Sequence, residues 1–413
     1  MKKKILFISI AFPPKSDPEC LQTAKYFYHL QQYKDLQIDV VTSAVPTLYM
    51  SYDQRLEPYA EGVHQLINVK IKENRWVNIF RSRLGLQETV FPDSKASFHK
   101  QSKRVIKQLK NTPSIIYSRS FPLSSAMMAL KLKRYYNIPW IMHLSDPWVG
   151  SPLHHWSESY TRRHADLEKE CISEASAICF TSMATIRFYE NRYPAYKEKF
   201  HFFPNVYERP EVVHAAELLQ PPPHPFTIVY TGGLAGDRSP AFLLEPLRQI
   251  FEEDSLIANK IKVVFAGEAD HRNRSVFAQY SLPFVSYRGK LSYQEALALQ
   301  RQADYLVVID SPIPDPAMSM FFPSKLLDYM VARKRILAVT TRGSATDEVM
   351  KDLKGDVCTH EDVTDIKQKI LVALRAFECN NTDYLTNTCM PHRYEARHNA
   401  ERLFHLIQQL SNV

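Results

Sequence analysis

Clusters of metal ligands are absent from this sequence of 413 residues. Its six cysteines are scattered, without the CxxC pairs or close Cys/His groups that zinc sites and redox motifs require. There is no Asp-x-Asp triplet, and the carboxylates are not grouped to hold Mg²⁺ or Mn²⁺. We therefore expect no metal and no bound cofactor, and the cysteine usage favours a reduced, cytoplasmic protein.

Long apolar runs are also absent, since none approaches the roughly 18 to 20 residues that span a bilayer. The N-terminus, MKKKILFISIAFPP, carries the positive charge of a signal peptide. Its short apolar stretch ends at Pro13 and Pro14 rather than at a small-residue cleavage site. We interpret it as the first buried strand of a parallel sheet. If the protein meets a membrane, we expect it to lie on the inner surface.

Positive charge is in excess, with a net charge of +8 and a pI near 9.0. This favours anionic partners, but no recognition motif accompanies it, so we expect no nucleic acid. One stretch, NRWVNIFRSRLGL at 74–86, mixes arginines with large apolar side chains. Residues 75–86 are thus a candidate peripheral membrane contact. The alternative is a loop whose apolar residues, such as Trp76 and Phe80, tuck into the protein while its arginines stay in water.

Short apolar runs alternate with helical patterns, which is typical of an α/β protein with parallel sheets. The first half predicts strands at 5–10, 38–42, 115–117, 140–143 and 177–180, and helices at 21–32, 96–110, 123–136 and 161–174. The second half predicts strands at 226–230, 261–265, 284–287, 305–309 and 336–340, and helices at 240–251, 293–302, after 323, and at 365–377. Each half resembles a doubly wound domain, whose ligands bind at the carboxyl ends of its strands.

A segment with five prolines, 207–225, separates the two series and reads as a linker. The predicted organisation is an N-terminal domain at 1–206, the linker at 207–225, and a C-terminal domain at 226–390. Residues 391–413 would form a last helix that packs toward the N-terminal domain.

The tract FFPSKLLDYM places a lysine and a carboxylate three residues apart at the start of a helix. Pro323 and Ser324 favour a helix start there. The helix N-terminus and Lys325 would attract a phosphate, while Asp328 would accept a hydrogen bond from a sugar hydroxyl. The alternative is an amphipathic helix on which Lys325 and Asp328 form a solvent-facing ion pair.

Seven motifs in order now resemble the GT-B glycosyltransferases, in particular the large family 4 of bacterial sugar-nucleotide-dependent enzymes. They are ISIAFPP, IPWIMHLSDPW, HFFPNVYE, IVYTGGL, VVFAGE, YRGKLSYQEALALQRQADYLVV and FPSKLLDYM. The resemblance implies two Rossmann-like domains facing across a cleft. It also implies transfer of a sugar, of hexosyltransferase type, from a nucleoside diphosphate to a glycan or lipid-linked acceptor in surface polysaccharide biosynthesis.

The resemblance assigns the donor to the C-terminal domain. Lys325 and Arg238 would stabilise charge on the leaving nucleotide without a metal. The other donor-binding residues it implies are Gly232, Gly233, Gly267, Glu268, Arg288, Gly289, Ser324 and Asp328. The motif departs from the family, which often has two glutamates where this chain has Met320 and Asp328.

In the N-terminal domain, Asp146 would bind an acceptor hydroxyl or take its proton, with His143 and Ser120 nearby on the acceptor side. The alternative is that Asp146, just before Pro147, caps a turn. Two rival functions remain open. One is a non-catalytic nucleotide-sugar binding or scaffold protein with the GT-B fold, and the other is a GT-B-like epimerase.

Overall fold

The computed structural model describes residues 2–45, 47–48, 50–152, 154, 156–209, 224–321, 323–353 and 355–411. The described chain forms two compact units. The first unit contains Met1–Val206 and Arg393–Val413, and the second contains Tyr207–His392. Most of the predicted linker, 210–223, lies outside the described residues.

The first unit contains a seven-stranded parallel sheet in the order β3-β2-β1-β4-β5-β6-β7. Its strands are β1 (Lys3–Ile8), β2 (Leu36–Ser43), β3 (Gln65–Val69), β4 (Ile115–Ser120), β5 (Trp140–Leu144), β6 (Ala177–Phe180) and β7 (Phe200–Phe202). Its first helices are α1 (Pro18–Leu30), α2 (Arg75–Arg83), α3 (Ser102–Gln108), α4 (Ser124–Tyr136), α5 (Glu158–Glu174) and α6 (Met183–Arg192). The central strands are buried and apolar because helices cover both faces of the sheet.

The second unit repeats this plan with six parallel strands in the order β10-β9-β8-β11-β12-β13. They are β8 (Phe226–Thr231), β9 (Ile261–Ala266), β10 (Val285–Tyr287), β11 (Tyr305–Ile309), β12 (Arg335–Val339) and β13 (Asp356–Cys358). The helices are α7 (Ala241–Glu253), α8 (His271–Tyr280), α9 (Tyr293–Gln302), α10 (Lys325–Ala332), α11 (Ala345–Leu353), α12 (Val363–Glu378) and α13 (Thr382–Leu385). The strand order reverses between β8 and β11, where open α/β sheets bind ligands.

The last helix, α14 (Ala396–Leu410), belongs to the first unit and packs against α1. Phe404 stacks on Tyr33 with ring centroids 4.1 Å apart. Leu403 and Ile407 join the buried cluster that contains Phe7 of β1. The amphipathic pattern of the C-terminal residues thus completes the core of a domain that begins at the N-terminus.

The predicted α/β class with two doubly wound domains is confirmed, although several elements differ in detail. The helix predicted at 96–110 is shorter, because a 3₁₀ turn (His99–Gln101) precedes α3. Helix α2 replaces the loop that was the alternative for 74–86. Asn74 starts it by accepting hydrogen bonds from the backbone N–H groups of Trp76 and Val77. Gly85 ends it at a φ of 66°.

Candidate active site

Three loops at the carboxyl edge of the second sheet are joined by backbone hydrogen bonds. The N–H of Gly232, after β8, donates to the carbonyl of Ala266 at 2.8 Å. The N–H of Gly267, after β9, donates to the carbonyl of Gly289 at 2.7 Å. Gly232, Gly267 and Gly289, which the resemblance implied as donor-binding residues, therefore lie in one row beside the strand-order reversal.

Gly232 and Gly267 approach each other too closely for side chains. Gly267 has a φ of 142°, and a Cβ added to it would lie 2.0 Å from the carbonyl oxygen of Gly232. Gly232 has a φ of 131°, and a Cβ there would lie 2.5 Å from Nζ of Lys325. Both positions thus require glycine, and the backbone of Gly232 is held directly against the Lys325 side chain.

Lys325 lies at the start of α10 and reaches back over β8. Its Nζ donates to the hydroxyl of Tyr230 at 2.9 Å and lies 4.2 Å from the centroid of that ring. Burial lowers the pKa of Lys325 well below its ordinary value, the charge of Arg238 lowers it further, and Asp310 opposes this. The predicted partners Lys325 and Arg238 are thus close enough to repel each other. An anion bound between them would relieve that repulsion.

The predicted alternative of an ion pair between Lys325 and Asp328 does not describe this structure. The Nζ of Lys325 donates to the hydroxyl of Tyr230. Asp328 instead accepts a hydrogen bond from the hydroxyl of Tyr293 on α9 at 3.0 Å. The two side chains of the tract therefore have separate surroundings.

A buried tyrosine that the sequence analysis does not single out, Tyr329, fixes α10 in place. The hydroxyl of Tyr329 accepts from the backbone N–H of Thr231 at 2.9 Å and donates to the carbonyl of Val307 at 3.1 Å. These bonds tie the helix that carries Lys325 to β8 and β11. Tyr230, on which Lys325 rests, was also taken only as a strand residue. The tyrosines in the motifs YTGG and KLLDYM were the only sequence signal that could have pointed to these two supporting residues.

The other predicted donor residues differ in their exposure and contacts. Arg238 is half-buried, and its Nε makes no hydrogen bond with the described residues. Ser324 occupies the cap position of α10, but its side chain caps no backbone group. Met320 is buried, in keeping with an apolar side chain where the family often has a glutamate. Three residues lie exposed on the loops after β8, β9 and β10: Gly233, Glu268 and Arg288.

In the first unit, Asp146 follows β5 and is exposed. Its carboxylate accepts no hydrogen bond from the described residues, so the turn-cap alternative is not supported. Desolvation raises the pKa of Asp146 to about 7, Glu19 acts in the same direction, and Arg119 opposes them. Because the side chain is exposed, water partly screens these effects. A carboxyl that titrates near neutrality is suited to accept a proton.

His143 and Ser120 are enclosed, unlike Asp146. His143 is fully buried on the face of β5 turned toward α1, hydrogen-bonded through Nδ1 to the hydroxyl of Tyr117 at 2.7 Å. Burial lowers its pKa well below the ordinary value, which favours the neutral ring. Ser120 is also fully buried, and its Oγ makes no hydrogen bond with the described residues. We do not retain His143 as an acceptor contact, because the strand alternation turns it into the core.

A buried ion pair supports the segment that carries Asp146. Arg119, with no exposed surface, donates from Nε to Glu19 at 2.7 Å and from Nη2 to Asn205 at 3.1 Å. Ser145 donates to the other oxygen of Glu19 at 2.6 Å. The pair thus links α1, β4 and the residue before Asp146.

We expect Glu19→Ala to lower the free energy of unfolding by about 3 to 5 kcal/mol, because it leaves the guanidinium of Arg119 buried without its carboxylate. Urea denaturation measures this. Arg134→Ala is the matched control, since it removes an exposed pair with Glu174 and should cost under about 1 kcal/mol. Equal, small effects of the two substitutions would show that Arg119 does not depend on Glu19.

Within the described part of the chain, no three His, Cys, Asp or Glu side chains lie together as a metal site. No described helix is both long enough and apolar enough to cross a bilayer.

No protein-family model matches the chain, and neither does any curated protein. Solved structures do match over nearly the full length. Anabaena HepE, crystallised with UDP and glucose, is 12% identical, with 99% of this chain and 100% of that chain covered and a TM-score of 0.65. The lipopolysaccharide outer core galactosyltransferase WaaB is 13% identical, with 98% of this chain and 99% of that chain covered and a TM-score of 0.60. A putative UDP-N-acetylglucosamine 2-epimerase from Listeria monocytogenes is 12% identical, with 99% of this chain and 96% of that chain covered and a TM-score of 0.59. The fold that this chain shares with them, two Rossmann-like domains with parallel sheets, is the GT-B fold.

Proposed function

We propose that this protein is a glycosyltransferase that moves a sugar from a nucleoside diphosphate to a glycan or lipid-linked acceptor. The observation that carries the proposal is the position of Lys325, which donates to Tyr230 and lies against the backbone of Gly232, with Gly267 packed on Gly232 and Arg238 in the loop after β8. Such a centre suits a diphosphate, because backbone atoms can approach it and two positive charges face it. The shared fold supports the proposal, since solved structures with this fold hold UDP or UDP-glucose.

In the proposed reaction, the bond between the sugar and the diphosphate breaks, and the acceptor oxygen takes the place of the leaving oxygen at the sugar carbon. Lys325 and Arg238 stabilise the negative charge that develops on the leaving nucleotide. Asp328 and the exposed Glu268 and Arg288 contact the remainder of the donor. Asp146 accepts the proton that the acceptor hydroxyl loses. Metal-independent transfer by a hexosyltransferase similar to family 4, acting in surface polysaccharide assembly, is part of this proposal.

An epimerase is the second candidate, because solved structures of similar fold include epimerases. Product analysis separates the candidates. Incubation with a panel of nucleoside diphosphate sugars and glycan or lipid-linked acceptors should release nucleoside diphosphate and yield a heavier acceptor by mass spectrometry. An epimerase would return an isomerised sugar still attached to its nucleotide. Tight nucleotide binding without either product would favour the non-catalytic binding protein.

The pKa of Asp146 predicts how transfer depends on pH. Only the carboxylate accepts a proton, so kcat/KM should rise with pH up to about 7. Asp146→Asn should lower kcat by about 10²- to 10⁴-fold and remove this rise, while nucleotide affinity stays the same. Asp166→Asn, which removes an exposed carboxylate on α5, is the control. An unchanged pH profile in Asp146→Asn would exclude Asp146 as the base.

A further inference from the structure

A cavity of about 540 Å³ in the first unit takes no part in the proposed reaction. It lies beneath α2, and its lining is mainly apolar, with contributions from Val90, Phe121, Leu123 and Tyr160. This is the volume of an ordinary small-molecule site. A ligand that fits it must bring apolar surface.

The aromatic lining is not arranged to stack on a sugar. Trp156 borders the cavity, but His154 covers one face of its ring and His164 the other, with centroids 4.0 and 4.2 Å away and nearly parallel planes. The flat surface that a pyranose ring would use is therefore already occupied. A hydrocarbon chain needs no such face, since any apolar wall removes it from water.

The acidic residues of the lining are already engaged by serines. Asp93 accepts hydrogen bonds from the backbone N–H and the hydroxyl of Ser124 at 2.8 and 2.7 Å, and burial raises its pKa. Glu88 accepts from the backbone N–H of Ser157 at 2.6 Å and from its hydroxyl. Neither carboxylate is thus directed solely at a ligand.

Helix α2 contributes two further polar side chains to the lining. Arg81 lines the cavity and brings a guanidinium group to it. Asn78 lines it as well, and its buried Nδ2 has no hydrogen-bond acceptor in the described part of the chain. Together they provide donors, one of them charged, suited to a phosphate oxygen.

The opposite face of α2 is apolar and exposed. Trp76 is 77% exposed and Phe80 62% exposed, one helical turn apart, and Leu84 follows at 54%. Exposed arginines, Arg75 and Arg83, flank them. The alternative in which these apolar side chains tuck into the protein is therefore wrong. An apolar stripe flanked by cations suits a membrane surface with anionic headgroups.

We propose that the cavity beneath α2 holds the hydrocarbon chain of a lipid-linked acceptor, with Arg81 and Asn78 on the phosphate next to that chain. The outward face of α2 lies on the membrane. The same helix therefore contacts the bilayer with one face and covers the bound hydrocarbon chain of the lipid with the other. The role as acceptor rests on the proposed glycosyltransferase function. The binding of a phosphorylated hydrocarbon chain does not.

Alkyl phosphates below their micellar concentrations test the cavity by calorimetry on the full chain. Affinity should rise at least about 10-fold from octyl to dodecyl phosphate, because each buried methylene adds to binding. Arg81→Ala should lower the affinity for dodecyl phosphate at least about 10-fold, because it removes a charged hydrogen-bond donor. Arg83→Ala, on the same helix but outside the lining, is the matched control and should bind like the unaltered protein. Val90→Trp fills the cavity and should abolish binding. If this variant does not fold, the Arg81 and Arg83 pair still decides.

Vesicles of phosphatidylcholine, with and without phosphatidylglycerol, test the outward face. Co-sedimentation should require phosphatidylglycerol and be lost in the double variant Trp76→Ser, Phe80→Ser, while that variant still binds dodecyl phosphate in solution. Equal weakening of dodecyl phosphate by Arg81→Ala and Arg83→Ala would overturn the proposal, as would a free oligosaccharide that binds in place of the alkyl phosphate. Nucleoside diphosphate binding is measured on the same preparations. If it is intact while dodecyl phosphate fails to bind, this inference alone is wrong; if it is absent, the proposed function is wrong.

Discussion

Lys325→Met is expected to lower nucleoside diphosphate affinity and the transfer rate, with a loss of about 10²- to 10³-fold in kcat, or about 3 to 4 kcal/mol of transition-state stabilisation. The reason is local. Lys325 is held by Tyr230 and lies against the backbone of Gly232, so its charge is fixed where a diphosphate would bind. Methionine keeps much of the volume and removes the charge. Calorimetry with nucleoside diphosphates and initial-rate kinetics measure the two losses.

Lys262→Met is the matched control for this experiment. Lys262 lies on β9 in the same unit and is exposed, so its loss should leave both affinity and rate unchanged. Arg238→Met should reproduce part of the loss, because the second cation faces the same anion. If Lys325→Met bound nucleotide as tightly as Lys262→Met, Lys325 would have no role in donor binding.

Gly267→Ala is expected to abolish nucleotide binding and to lower thermal stability. The new Cβ would lie 2.0 Å from the carbonyl oxygen of Gly232, so one of the two loops must move. A displaced Gly232 also loses its contact with Lys325. Nucleotide binding should therefore become undetectable, although the variant keeps every charged side chain of the site.

Gly236→Ala separates this clash from the general cost of removing a glycine. Gly236 also has a positive φ, 59°, but an added Cβ would meet nothing within 4 Å. Its substitution should cost about 1 to 2 kcal/mol of stability and leave nucleotide binding intact. Differential scanning calorimetry and nucleotide titration of both variants measure the difference. Similar binding by the two variants would mean that the approach of Gly232 to Gly267 is not needed for the site.

The central strands of both sheets were predictable because parallel strands buried on both faces are largely apolar, as in Tyr305–Ile309, where all five residues are buried. Three edge strands, β3, β7 and β13, were not predicted. They lie at sheet edges, and β7 and β13 are three residues each. Such segments bury too little to show a periodic pattern.

Helix α2 shows a signal that was present in the sequence and overlooked. Asn74 at its start and Gly85 at its end are favourable capping residues, and both act as caps in the structure. The stripe of Trp76 and Phe80 follows directly from helical spacing once those caps are accepted.

The sequence pointed to the charged residues and glycines of the candidate site but not to the tyrosines that hold them in place. Motif order drew attention to Lys325, Gly232 and Gly267, which the structure brings together. Tyr329, which anchors α10, could not be separated from ordinary core residues, because a buried tyrosine looks alike in sequence whether or not its hydroxyl joins two strands. The burial of His143 could not be predicted for a related reason. The place of a residue within a predicted strand does not show which face of the sheet its side chain occupies until the register of that strand is known.

Thermal unfolding against a panel of nucleoside diphosphates and nucleotide sugars, with EDTA present, tests the central claim most directly. A ligand that binds only the folded protein raises its stability, by about 2.7 kcal/mol at a concentration 100 times Kd. The account predicts a selective rise in Tm with one nucleotide class, UDP being the first to test, and the loss of that rise in Lys325→Met. No rise with any nucleotide, or an equal rise in Lys325→Met, would contradict a donor site at Lys325.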